Sequence, residues 1–146
     1  MVSKIIRYVL VMMMMSFSTV SFSQKDWSSI TVIGNNTGEN SMSQKALIEV
    51  FRGQKNYWKS NESVLLILPS DKHQGAKIAS ATLYNMSISE MQKFWLALVF
   101  QGRSNPPVFE LTNEDILQIV LATPGAIGVL INYQGSIPPE LLIKIQ

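Results

Sequence analysis

The residues best equipped for chemistry lie in one short run, Ser70-Asp71-Lys72-His73-Gln74-Gly75. It follows an unbroken apolar stretch from Val64 to Leu68, closed by Pro69, and precedes a segment from Ala76 to Tyr84 with helical patterning. A turn from strand to helix favours anions, because the first helical N–H groups lack internal partners and the helix dipole adds positive potential. Residues 72–75 would supply those donors, with Lys72 and His73 adding charge and Gln74 an amide. A plainer description fits as well: Asp71 caps the helix, and Lys72, His73 and Gln74 are solvated loop residues. A second polar cluster, Asn35-Asn36-Thr37, follows the run Ile30–Ile33. It either faces a ligand or only supplies turn geometry.

Beyond these clusters the chain offers little chemistry. It has no Cys and one His, so thiol chemistry, Cys-based zinc sites and multi-histidine metal sites are excluded. No Ser nucleophile has an evident His–Asp partnership, and the sparse carboxylates form no recognisable acid–base pair. The reading is therefore a non-enzyme without cofactor or metal.

The N-terminus has the order of an export signal. Lys4 and Arg7 precede an apolar run from Tyr8 to Met15, which grades into Val20-Ser21-Phe22-Ser23. Small residues at 21 and 23 place a cleavage before Gln24. The apolar run is shorter than the ~20 residues a membrane span needs, so membrane attachment is expected only if the signal stays uncleaved. Residues 1–23 are thus read as a signal peptide and residues 24–146 as one exported domain, whose periplasmic location is implied by the resemblance described below. Lys4 and Arg7 leave with the signal, so ten basic and ten acidic residues remain and the net charge falls from +2 to zero. A neutral surface argues against a nucleic-acid partner.

The elements that must position the loop follow from periodicity. Ile30–Ile33 reads as a strand. A helix with an apolar face runs through Leu47, Ile48, Val50 and Phe51, capped by Ser41 with Gln44 or by Ser43, and stopped by Gly53. Val64–Leu68 reads as a strand buried on both faces, as in a parallel sheet. Ser89 with Gln92 forms a second capping box, opening a helix with Met91, Phe94, Trp95, Leu98 and Val99 that ends at Gly102. Residues 103–111 form a Pro-containing connection. Thr112 or Asn113 caps the next helix, whose buried face is Ile116, Leu117, Val120 and Leu121. Pro124-Gly125 breaks it before a strand from Ala126 to Ile131, and Leu141–Ile145 reads as a last strand. The fold class is α/β: three layers, a mostly parallel sheet flanked by helices.

The skeleton resembles a known family. Leu47 to Gly53 followed by Trp58 is similar to the "helix, Phe-x-Gly, then Trp" segment of phosphate-type periplasmic solute-binding proteins. Phe94-Trp95 to Gly102 and Pro124-Gly125-Ala126-Ile127-Gly128 resemble that family's later helix and "Gly-x-Ile-Gly-Tyr" strand, and the Ser70-Asp71 loop stands where the family places its anion loop. The resemblance implies one lobe of a type II periplasmic binding protein, from a phosphate ABC transporter system. It implies a small oxyanion such as phosphate as ligand, with Asp71 accepting a proton from it, and an envelope or transporter protein as partner. This chain is long enough for only one of the family's two lobes. It also departs from the family loop Arg-Ser-Asp-Gly-Ser-Gly-Thr. Pro69 stands for Arg, Lys72 for Gly, and His73-Gln74-Gly75 for Ser-Gly-Thr, while Val129 stands for the usual Tyr. The alternative is an accessory or interaction protein that keeps the lobe without the ligand.

Overall fold

The computed structural model describes residues 25–146. The signal peptide and the domain start at Gln24 lie outside the described residues. The chain forms one six-stranded sheet of β1 (Ile30–Gly34), β2 (Ser41–Met42), β3 (Leu65–Pro69), β4 (Val108–Glu110), β5 (Ala126–Ile131) and β6 (Leu142–Ile145). Their order across the sheet is β2-β6-β1-β5-β3-β4. Pairings β2–β6, β5–β3 and β3–β4 are parallel, whereas β1 is antiparallel to both β5 and β6. Five strands therefore share one direction and β1 alone runs against them.

Helices cover both faces. One face carries α1 (Gln44–Phe51), α2 (Ala76–Ala79), a π-helical turn (Ser80–Tyr84) and α3 (Ile88–Phe100); the other carries α4 (Asn113–Ala122). Two cores result, and successive strand residues divide between them as the period of two demands. Val32, Leu66, Leu68, Ile127 and Val129 face the three-helix side, while Ile33, Ile67, Ala126 and Leu130 face α4. All six residues of β5 are buried, which is why that strand reads as an uninterrupted apolar run.

The aromatic–glycine skeleton is scaffold. Trp58 is buried and its Nε1 donates to the Gly125 carbonyl at 2.8 Å, tying the loop after α1 to the entry of β5. Gly125 has φ +84°, a conformation that favours glycine, and its missing side chain leaves room for the Ser63 backbone. On the three-helix face, Tyr84, Phe94 and Trp95 pack edge to face with centroids 5.5–6.3 Å apart. The Tyr84 hydroxyl donates to the Phe51 carbonyl and accepts from Trp95 Nε1 at 3.0 Å, and Arg52 Nη1 donates to the Tyr84 carbonyl at 3.0 Å. This network crosses from α1 to α3 through the π-helical turn. Burial pushes the Tyr84 hydroxyl well above its ordinary pKa, so it stays a neutral donor.

Several boundaries differ from the sequence reading. Ser43, not Ser41, caps α1 by accepting from the Ala46 amide, because Ser41 is held in β2. The capping box of α3 is Ser87 with Glu90, one turn or less before the expected Ser89 with Gln92. Ser87 has the extended backbone a cap needs, whereas Ser89 is already helical. The connection 103–111 contains the edge strand β4, too short to show a periodicity. Among the described residues, no helix is long and apolar enough to cross a membrane.

Candidate functional site

The parallel strands set the site. The carboxyl ends of β3, β4 and β5 reach the same edge of the sheet, so the segments after Pro69, Glu110 and Ile131 are neighbours. Ligands of open α/β sheets sit at such carboxyl ends. Here the three segments enclose a groove of about 560 Å3. Its walls are Lys72, His73 and Gln74 from the β3 loop, Leu111 to Glu114 from the start of α4, and Asn132 to Gly135 after β5.

The β3 loop is built around His73. Only 7% of this residue is exposed. Its Nδ1 accepts from the Gly75 amide at 2.8 Å, and its own backbone carbonyl accepts from the Ala76 amide at 3.0 Å. The loop thus uses one of its own side chains to satisfy an amide that an anion would otherwise take. Burial pushes the His73 pKa below the ordinary imidazole value, with Asn113 and the Glu114 carboxylate working in the opposite direction. Nδ1 as acceptor places the proton of the neutral ring on Nε2. Gly75 is fixed by packing: a Cβ there would run into the Ile131 side chain at the end of β5.

The opposite wall is equally ordered. Thr112 caps α4 by accepting from the Asp115 amide at 3.1 Å, and its hydroxyl donates to the Asp115 carboxylate at 2.7 Å. Asn113 pairs with the last residue of β5: its Oδ1 accepts from the Ile131 amide and its Nδ2 donates to the Ile131 carbonyl, both at 2.9 Å. Glu114 and Asp115 stand in the first turn of α4, where they suit the dipole and oppose an incoming anion.

The sequence-derived residues fall in different places. Lys72, His73 and Gln74 line the groove. Ser70 and Asp71 do not line it: the Ser70 amide donates to the Glu110 carbonyl, the Ser70 Oγ is buried without a partner, and Asp71 is exposed. Asp71 does not cap α2, whose preceding residue is Gly75. Asn35, Asn36 and Thr37 are elsewhere. Because β1 runs antiparallel, its carboxyl end sits at the opposite edge of the sheet, where Gly34 pairs with Ile127 near the start of β5. Asn35 there donates to the Val120 and Leu121 carbonyls at 2.9 and 3.0 Å, closing the end of α4. Thr37 is buried and bonded to the Glu39 backbone. These three residues hold a turn and do not join the groove. Asn113, Glu114, Tyr133 and Gln134 do, and sequence reasoning missed them as site residues. Their signal was their place directly after β4 and β5, legible once the strand order is known.

Among the described residues no group of three or more His, Asp or Glu side chains is placed to hold a metal ion. Arg103 is exposed at the end of α3, its side chain reaching only Gln101.

No family model matches the chain. No curated protein matches it either. Among solved structures, it is similar to the crystal structure of an ABC-type phosphate transport receptor from Vibrio cholerae, with a TM-score of 0.49 and 11% sequence identity. The similarity covers 80% of this chain and 46% of that receptor, so this chain spans less than half the length of the protein it resembles.

Proposed function

We propose that this protein is an exported, non-catalytic binding module that takes a small polar solute in the groove at the carboxyl ends of β3, β4 and β5. One observation carries the reading: three loops from three parallel strands converge there, and a buried histidine holds one of them in shape. Building a loop around a neutral imidazole pre-organises Lys72 and Gln74 before any ligand arrives, which lowers the ordering cost of binding. A small oxyanion, phosphate among them, fits the Lys72 side of the groove. The missing arginine and the acids at the start of α4 make this a weak phosphate site. In a transport system the module would serve as the solute-holding component.

Calorimetric titration with phosphate, sulfate and a small carboxylate tests the reading, with Lys72→Gln as the control. Heat that saturates in the millimolar range and weakens in the variant is the expected result. No heat from any of the three, and none from other small polar solutes, would leave the groove without a function.

A second reading has its own support. Leu96, Val99 and Phe100 on α3 and Phe109 on the edge strand β4 are exposed, Phe100 by 83%. Contiguous exposed apolar residues mark interaction surfaces. This favours an envelope accessory protein that works through a partner. Recovery of no reproducible partner in a pull-down from envelope extract would count against it.

A further inference from the structure

The groove carries two opposite charges on two different elements, and that pairing bears on the ligand. Lys72 stands on the loop after β3, and Glu114 stands in the first turn of α4. Both are exposed enough to meet a solute. The wall near them is uncharged: the buried His73 ring is neutral at neutral pH and lies beside Asn113 and Glu114. With Nδ1 held by the Gly75 amide, its remaining polar group is an Nε2 N–H donor. Gln74 and Gln134 supply amides on the rim.

This set discriminates among solutes. A phosphate dianion would gain from Lys72 and be opposed by Glu114. A neutral sugar would leave both charges unused while still displacing their water. A molecule with a carboxylate and an ammonium a few bonds apart uses both, and its acid group can also accept from His73. We infer that the ligand is a small zwitterion of the α-amino-acid type, its carboxylate held by Lys72 and the His73 N–H and its ammonium by Glu114. The inference rests on the solute-binding reading of the groove, whose size lies in the ordinary range for small-molecule sites. It also accounts for the loop's departure from an all-donor anion cradle: His73 occupies the Gly75 amide and leaves one donor, enough for a singly charged carboxylate.

The experiment is a calorimetric titration of the full chain with four probes: L-alanine, propionate, ethylamine and inorganic phosphate. Propionate lacks the ammonium and ethylamine lacks the carboxylate. Alanine should bind tightest, with each truncated probe weaker by roughly two- to fivefold, the factor expected for one exposed charge pair. Glu114→Gln should bring alanine down to the level of propionate without weakening propionate, and Lys72→Gln should do the converse with ethylamine. If phosphate or propionate binds more tightly than alanine and Glu114→Gln strengthens it, the groove is a simple anion site and the zwitterion inference falls. If none of the four binds at up to about 50 mM, where even very weak complexes register, the solute-binding reading falls with it. Thermal unfolding of both variants separates lost binding from lost folding, since two exposed residues should change the midpoint little.

Discussion

His73 should make the stability of this protein depend on pH between 7.5 and 5. It is the only histidine. Its ring is buried and its Nδ1 accepts the Gly75 amide. Protonation would both charge a buried ring and replace that acceptor with a second donor. Burial holds the folded-state pKa below the ordinary value of 6.5. A histidine depressed in this way contributes stability that is fully present above its unfolded pKa and is lost as pH falls below it. The slope in that region is at most about 1.4 kcal/mol per pH unit. Asn113 and Glu114 favour the charged ring and so oppose the depression, and the loss as pH falls from 7.5 to 5 cannot be steeper than that slope. For a domain of this size each kcal/mol lost lowers the melting temperature by roughly 3–6 °C. The assay is thermal unfolding at half-unit steps from pH 7.5 to 5, stopping before most carboxylates protonate. His73→Asn supplies the control, because an Asn side chain can accept the amide two residues on, as in an Asx turn, and does not titrate. Its curve should be flat over the same range. His73→Leu removes the acceptor altogether and should cost about 1–3 kcal/mol at every pH. Parallel curves for the wild type and His73→Asn would refute the reasoning.

Other expectations concern the scaffold. Tyr84→Phe leaves the Phe51 carbonyl and Trp95 Nε1 without a buried partner and should cost about 1–3 kcal/mol in chemical denaturation, with the midpoint shifted and the slope unchanged. Gly75→Ala forces a methyl group against Ile131 and should destabilise by about 1–3 kcal/mol, while disturbing the groove through His73. Phe100→Ser on the exposed face of α3 should leave the melting temperature within about 2 °C of wild type and reduce recovery of a partner in the envelope pull-down.

Much of the architecture was legible in the residues because it depends on local chemistry. The apolar runs at Val64–Leu68 and Ala126–Ile131 describe strands buried on both faces, and they are. Gly53 and Gly102 mark helix ends, and both take positive φ. The Trp and Gly spacings point to packing, and Trp58 meets Gly125 in the core. What escaped was non-local. Nothing in Ile30–Gly34 says that this strand runs against its neighbours, so nothing warned that Asn35, Asn36 and Thr37 would end at the far edge of the sheet. The three residues of β4 carry no periodicity. The role of His73 was hidden for a different reason. A polar residue in a polar loop looks solvated, and only the fold of the loop onto its own Gly75 amide buries it. Glu114 and Gln134 could not be seen as site residues before β4 and β5 were placed on either side of β3.

The central claim is that the groove at the carboxyl ends of β3, β4 and β5 is where a small solute binds. Amide chemical-shift mapping with L-alanine and, separately, phosphate tests it most directly. The account predicts saturable shifts at Lys72, His73 and Gln74, at Thr112 to Glu114 and at Tyr133 to Gly135, with Asn35 to Thr37 unmoved. Shifts that cluster at Asn35 to Thr37, or no saturable shifts with any small solute, would contradict it.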